Sequence, residues 1–372
     1  MLANFAVSNF RNFSERFNFS FETEKHYEFN TNNVQDCIIK HSIAYGHNGC
    51  GKSNLGIAIL DLTCHINDVN IMHSLKTNYL NGDARKDDLA VFEYKFKFGN
   101  DIVEYQYGKS DVANTRYEKL VINNELVVSF NRDESEKLIV KLAGTESLRS
   151  EITNPNISAI KYIKSNSILD MEDKNAQLFT KFIDFVSGMI FFRTLTQNAD
   201  YFGQIIDTNK RLSRAIIEAN KLGDFEKFLN ESGVRCKLTV IGEEEDQRIA
   251  FEYKNKNIEF SYAASTGTMS LGIFYYWWLK VDSGELTFAY IDEFDAYYHY
   301  SLSQAIVTKM NQSSGQTILT SHNLSILSND LLRPDCYFVV ADKQYPLYKL
   351  VDKDLRKAHN LEKIFKGLTY EY

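Results

Sequence analysis

The stretch Ala44-Tyr45-Gly46-His47-Asn48-Gly49-Cys50-Gly51-Lys52-Ser53 constrains this chain more than any other. It fits G-x-x-x-x-G-K-[ST], a phosphate-binding loop. Gly46, Gly49 and Gly51 let the backbone turn tightly and aim successive N–H groups inward, a cradle for anionic oxygens. Lys52 is expected to reach the β- and γ-phosphates, and the Ser53 hydroxyl to hold Mg²⁺. A helix that starts here adds its positive dipole end. Roughly one random chain in a hundred of this length carries the pattern by chance, so its flanks matter. Cys37-Ile38-Ile39 and Ile43-Ala44-Tyr45 are apolar and β-prone, as the preceding strand must be. Leu55, Ile59, Leu62, Ile66 and Val69 then recur every three or four residues, which predicts an amphipathic helix. A glycine-rich turn without a ligand explains neither flank.

With 372 residues and 44% hydrophobic content, the chain can bury a large core, as two domains or as one with an insertion. Its net charge of −7 excludes a global basic field for nucleic acid but leaves room for a local basic groove. The basic stretches Lys161–Lys164 and Lys210–Arg214 read first as solvated helix faces. Five cysteines, an odd number with no Cys-x-x-Cys among them, predict free thiols in a reducing compartment and no cysteine-based zinc site. The N-terminus does not read as a signal peptide, and the densest apolar run, Leu271 to Leu279, is too short to span a bilayer. The expected location is the cytoplasm, away from membranes.

Taken in order, Phe5 to Phe21 alternates like an antiparallel strand pair, and Glu22 to Gln35 reads as a loop. Val91 to Val140 reads as an antiparallel meander and the likeliest insertion in an α/β core. Residues 146 to 230 read as largely helical. Leu178, Phe179, Phe182, Ile183, Val186 and Met189 form one face, and a second run goes from Arg211 to Glu218 and on to Phe228. Short strands are predicted at Lys237–Ile241, Ile249–Tyr253 and Ile258–Tyr262, with the acidic run Glu243-Glu244-Glu245-Asp246 as a solvated turn.

Three further motifs carry chemistry. In Leu286 to Asp295 a β-prone run ends in Asp292-Glu293, which is how a buried strand delivers carboxylates to its C-terminal edge. Asp292 is expected in the Mg²⁺ shell, and Glu293 to orient or deprotonate the attacking water. In Gln316 to Asn323 a short strand ends at His322, placed to donate to the γ-phosphate or that water. One strand-helix-strand unit separates it from the acidic pair, with the helix at Leu302–Met310, so its strand is expected to be the parallel neighbour. Ser265-Thr266-Gly267-Thr268 opens an apolar helix as an N-cap and an anion site, although judged alone a plain cap is the commoner explanation.

Together these motifs resemble the ABC-class ATPases of the RecF, SMC and OLD lineage. Nearest are the small prokaryotic AAA-type ATPases of the abortive-infection (AbiL-like) or PtuA-like phage-defence group. The resemblance covers nearly the whole chain and implies an α/β P-loop NTPase with an ABC-type head: a central mostly parallel sheet, an antiparallel β subdomain and a helical subdomain. Gly46 to Ser53 matches Walker A, with Asn48, Cys50 and Asn54 among the nucleotide-contacting positions. Asn9-Phe10-Arg11-Asn12-Phe13 resembles the family's N-terminal strand, whose Arg (here Arg11) approaches the nucleotide. Ser265 and Gly267 stand where the family has an abbreviated signature motif. Asp292-Glu293-Phe294-Asp295 matches Walker B and the D-loop, His299 a position where the family usually has His, and His322 the switch histidine. Asn166, after Ile157–Lys164, is the candidate for the metal-side residue of the Q-loop.

The chain departs from relatives in other ways. No Leu-Ser-Gly-Gly-Gln signature is present, which argues against a transporter subunit, and no long heptad arm exists. Little room follows His322 for a nuclease domain. The division expected is a single head over 1–372, with core lobes at 1–90 and 235–372, a meander at 91–145 and a helical insertion at 146–234. The resemblance implies ATP and Mg²⁺ as cofactors and a head-to-tail homodimer, or a higher oligomer built on dimers. It further implies ATP hydrolysis as a switch that controls a separate nuclease or toxin encoded nearby. Alternatives are a DNA-clamping repair ATPase and a structural assembly that hardly hydrolyses ATP.

Overall fold

The computed structural model describes residues 1–67, 73–193, 201–202, 208–243, 246–296, 298 and 300–368. Val69, Glu244, Glu245 and His299 lie outside the described residues. The chain runs through β1 (Leu2–Ser8), β2 (Phe17–Ser20), a short ribbon of β3 (Val34–Gln35) and β4 (Ile38–Ile39), and β5 (His41–Tyr45) into α1 (Lys52–Ile66). After α2 (His73–Thr77) come β6 (Ala90–Phe98), β7 (Asp101–Lys109), β8 (Thr115–Ile122), β9 (Glu125–Asn131) and β10 (Ser135–Val140). Helices α3 (Ala159–Asn166) and α4 (Lys174–Ser187) lead to β11 (Met189–Arg193) and β12 (Tyr201–Phe202). Next are α5 (Thr208–Glu218), α6 (Leu222–Glu231), β13 (Leu238–Ile241), β14 (Arg248–Glu252) and β15 (Asn257–Glu259). Then follow α7 (Phe260–Ala263), α8 (Thr266–Asp282), β16 (Phe288–Asp292), α9 (Tyr300–Met310), β17 (Gln316–Thr320), β18 (Tyr337–Val340), β19 (Gln344–Pro346) and α10 (Leu361–Gly367).

Two seven-stranded sheets dominate. One has the order β12-β11-β16-β17-β5-β18-β19. Its five inner strands are parallel, and β12 and β19 close the edges antiparallel. Every residue of β5, β16 and β17 is buried. Such continuous burial is what a parallel sheet covered on both faces requires. The other sheet, β10-β9-β8-β7-β6-β1-β2, is antiparallel throughout. Along β6 buried and half-buried residues alternate, the period of a sheet with one solvated face.

The meander is therefore not self-contained. β1 pairs with β6 along most of its length, so the N-terminal strands extend it and cover the edge β6 would otherwise expose. The segment 146–234, read as largely helical, also contains the strands β11 and β12. α4 ends at Ser187, and Met189, expected on its apolar face, instead opens β11, which lies inside the parallel sheet beside β16. Periodicity misreads this point because Met189–Phe192 is apolar at every position and fits either period. The second helical run breaks into α5 and α6 at Asn220, which takes the left-handed conformation that Asn tolerates, at φ 54°. The third predicted short strand stops early. At Phe260 the chain turns helical and packs that ring on Phe225 and Phe251.

Helix α1 lies between the two sheets, against β11 and β16 on one side. On the other it plugs two ionisable side chains, Asp61 and His65, into the antiparallel sheet. Asp61 accepts from Lys109 Nζ (2.8 Å), Tyr107 Oη (2.9 Å) and Tyr79 Oη (2.9 Å). His65 bonds Tyr105 Oη at 2.8 Å, beside Glu118, which also caps the first N–H of α3 at 2.6 Å. Lys109 and Asp61 are both buried, so losing one strands the other's charge. Asp61→Ala is expected to cost about 3–5 kcal/mol in urea unfolding. Arg16→Ala, which breaks the exposed Arg16–Glu93 pair, should cost under about 1 kcal/mol; similar losses for both would refute this account of α1.

Candidate nucleotide and metal site

The phosphate loop runs from the end of β5 to Lys52, the first residue of α1. Gly51 is the N-cap of α1, at φ 104°, and supplies no side chain to the first turn. The N–H groups there are left for an anion. A Cβ at Gly51 would collide with the Asn12 amide and one at Gly46 with the Val340 carbonyl oxygen, whereas one at Gly49 would meet open space. The Lys52 ammonium folds back on the loop and donates to the carbonyls of Gly46 (2.8 Å) and His47 (3.1 Å). A phosphate must take over those bonds. A cleft of about 770 Å³ opens beside the loop, bordered by Asn12, Gly46–Cys50, Ser321 and His322.

The acidic corner is built by three strand ends. Asp292 closes β16 and is fully buried. Its Oδ2 accepts from Ser53 Oγ at 2.6 Å and from Arg193 Nε at 3.0 Å, and its Oδ1 accepts from Thr320 Oγ1 at 2.8 Å. The same Thr320 hydroxyl accepts the Glu293 N–H at 2.7 Å. Glu293 holds a positive φ of 50°, a strained conformation for a residue with a Cβ and one typical of functional sites. Burial, and then the neighbouring Asp292 charge, push the Glu293 carboxyl above its ordinary pKa. Burial, and then the Lys52 charge, push the His322 imidazole down, so the ring is neutral at pH 7. The charges of Lys52 and Asp292 both act on Glu293 and on His322, so the four lie near one another, with His322 on the border of the cleft.

Other expected residues fall on both sides of the line. Arg11, at φ 49°, donates to Asn54 Oδ1 (3.2 Å), and Asn54 donates to Asn12 (2.6 Å), so the N-terminal hairpin meets the start of α1. Burial, and then the charge of Arg193, lower the Arg11 pKa, so two guanidiniums share this neighbourhood. Asn48, Gly49 and Cys50 line the cleft. Asp295 accepts from Ser321 Oγ at 2.8 Å, and burial raises its pKa. Ser265 caps α8, with Oγ accepting the Thr268 N–H. It is exposed, a Cβ at Gly267 would meet open space, and neither residue borders the cleft of its own chain. Asn166 is not brought to the acidic corner. It sits exposed at the end of α3, its amide donating to the Tyr162 carbonyl at 2.9 Å. The strands beside β16 are β11 and β17, and the residues that they deliver to Asp292 are Arg193 and Thr320.

The residues present fit Mg²⁺. Ser53 and Asp292 offer hard oxygens at one point, and Mg²⁺ takes few protein ligands when phosphates and water supply the rest. Among the described residues no cluster of three or more His, Cys, Asp or Glu offers an all-protein metal cage.

The sequence model of the AAA_21 family, described as "AAA domain, putative AbiEii toxin, Type IV TA system", matches residues 45–328. The chain belongs to this AAA family. No protein of curated function matches it in sequence. Among solved structures, an SMC head bound to the C-terminal winged-helix domain of ScpA is similar at TM-score 0.50 and 15% identity, covering 94% of this chain and 99% of that one. The SMC head domain from Thermotoga maritima is similar at TM-score 0.43 and 12% identity, covering 92% and 97%. An SMC head from Pyrococcus furiosus with an extended coiled coil, bound to the C-terminal domain of ScpA, is similar at TM-score 0.49 and 12% identity, covering 92% and 95%. The AAA domain thus has the fold of an ABC-type P-loop ATPase head.

Three side chains of this AAA domain's site were not singled out from sequence. Arg193 was hidden in a segment read as helical; a charge ending an apolar run was its signal. Thr320, one of the small hydroxyl residues before His322, ties Asp292 to the Glu293 backbone. Asn12 lay inside a quoted motif but gained a role only by touching Gly51. Thr320→Val should leave Asp292 Oδ1 and the Glu293 N–H short of a partner and cost about 1–3 kcal/mol in thermal or urea unfolding. Thr320→Ser should recover most of it, and a Val variant as stable as wild type would refute the role.

Proposed function

We propose that this AAA domain binds Mg-ATP at Lys52, Ser53 and Asp292 and hydrolyses it with Glu293 as base and His322 as γ-phosphate partner. The observation that carries the reading is the meeting of four separate segments at one phosphate loop, with Ser53 and Asp292 in direct contact. Bound Mg²⁺ supplies charge neutralisation and polarises the γ-phosphate. Lys52 then donates to the phosphate oxygens in place of the Gly46 and His47 carbonyls. Glu293, made more basic than an ordinary carboxylate by its burial and by the Asp292 charge, accepts the proton of the attacking water in its ionised form. The neutral His322 donates a hydrogen bond without adding a second cation beside Lys52.

The open patch at Ser265 and Gly267 lies away from its own chain's cleft, which supports a head-to-tail pair in which each copy caps the other's nucleotide. ATP then favours the closed pair because only that state makes these contacts. The description of the matched family names a toxin and a toxin–antitoxin system. That supports a switch controlling a separate effector, a nuclease or toxin, in anti-phage defence of the AbiL-like or PtuA-like kind. Similarity in fold to SMC heads favours a second reading, direct DNA clamping. The net charge of −7 counts against it. Filter binding to DNA across a salt series separates the two, since phosphate contacts give a steep slope.

Lys52→Ala should abolish ATP binding in calorimetry. Glu293→Gln should retain binding, lower turnover by at least about 100-fold, and run as a dimer with ATP in light scattering. A Glu293→Gln protein that stays monomeric with saturating ATP would overturn the paired mechanism. For wild type, turnover should fall as pH drops through the raised Glu293 pKa, because the protonated acid cannot accept a proton. The acid limb of the kcat/KM profile, which reports the free enzyme, should therefore lie above the ordinary carboxylate range; a limb within that range would count against Glu293 as the base.

A further inference from the structure

Asp292 is already fully engaged. Ser53 and Thr320 answer its oxygens with neutral hydroxyls, so among these three bonded partners only Arg193 brings a positive charge. The carboxylate has no solvent exposure, whereas the Arg193 side chain keeps 28% of its own. Sheet register fixes the pair: Arg193 and Asp292 are direct neighbours across the parallel strands β11 and β16. A divalent cation that takes Ser53 and Asp292 requires the Oδ2 atom that Arg193 holds at 3.0 Å. Two cations at one buried oxygen repel strongly. A displaced guanidinium would also face Arg11, whose pKa its field already lowers. It needs an anion to move to, and a polyphosphate in the adjoining loop is one.

We propose that Arg193 is the resident counter-ion of Asp292, competing with the divalent cation for Oδ2 until a polyphosphate gives the guanidinium another partner, so that metal and nucleotide enter together. The polyphosphate half rests on the nucleotide reading above. The competition at Asp292 rests on the bonded geometry alone. Arg193 is thus a positioning residue that sets when the metal seat opens.

The test is Mn²⁺ binding to the full chain, read from the electron paramagnetic resonance signal of free Mn²⁺, with and without ATP. Wild type should bind Mn²⁺ weakly alone and much more tightly with ATP. Arg193→Gln should tighten nucleotide-free binding by about tenfold or more, and Arg193→Met, also uncharged, should follow it. Arg193→Lys, which keeps the charge, should stay near wild type, and Asp292→Asn sets the background from other sites. Melting gives a second reading. Arg193→Gln should melt lower than wild type in EDTA, because the buried carboxylate has lost its counter-ion, and recover with Mg²⁺. Nucleotide-free Mn²⁺ affinity unchanged in both uncharged variants, or a melting loss that Mg²⁺ does not repair, overturns the proposal. Failure of wild type to bind ATP would instead refute the nucleotide reading, and the nucleotide-free comparison would still decide the competition.

Discussion

A carboxylate with no access to water must have its charge answered inside the protein, and at Asp292 that demand organises the molecule. The answers come from Ser53 at the start of α1, Thr320 at the end of β17 and Arg193 at the end of β11. These positions are far apart in sequence, and only the parallel order β11-β16-β17-β5 sets their ends side by side. The sheet is in this sense a device for bringing strand termini together, and the site sits at their C-terminal edge as open α/β sheets dictate. One of the hydroxyls also fixes a second group: Thr320 holds the Glu293 backbone in its strained turn, so Glu293 is positioned by the same bond network that satisfies its neighbour.

Helix α1 links this corner to the rest of the fold. Its first turn forms the phosphate site, while Asp61 and His65, three turns further on, are committed to Lys109, Tyr107, Tyr79 and Tyr105 of the antiparallel half. Both charges of the Asp61–Lys109 pair have given up hydration and find compensation only in one another and in the tyrosine hydroxyls. The hairpin that carries Arg11 and Asn12 belongs to the same antiparallel sheet and touches the opposite end of α1. A displacement of α1 would therefore be felt at both the loop and the antiparallel sheet, which is the connection a nucleotide-driven switch requires.

Much of the site was legible because its chemistry is local. Gly46, Gly49, Gly51, Lys52 and Ser53 are contiguous, and a loop of that composition between an apolar strand and an amphipathic helix has few other uses. Asp292-Glu293 and His322 were legible for a related reason: each ends a short β-prone run, and the C-terminal ends of parallel strands share one edge. Where two periods fit the same residues, local reading failed. Met189–Phe192 is apolar at every position, so Met189 fits the face of α4 as well as a strand, and Arg193 goes unnoticed in a segment that reads as largely helical.

By itself, then, the sequence determined the phosphate loop, the identity of the acids and the alternation of strand and helix, since each depends on residues within one or two turns of one another. Tertiary structure alone decided which strand lies beside β16, that the N-terminal strands complete the meander, and that Arg193 rather than a side chain of α3 answers Asp292. Those outcomes follow from burial: every backbone donor of an inner strand needs a partner and every buried charge a counter-charge. Only the assembled chain settles which distant residues provide them.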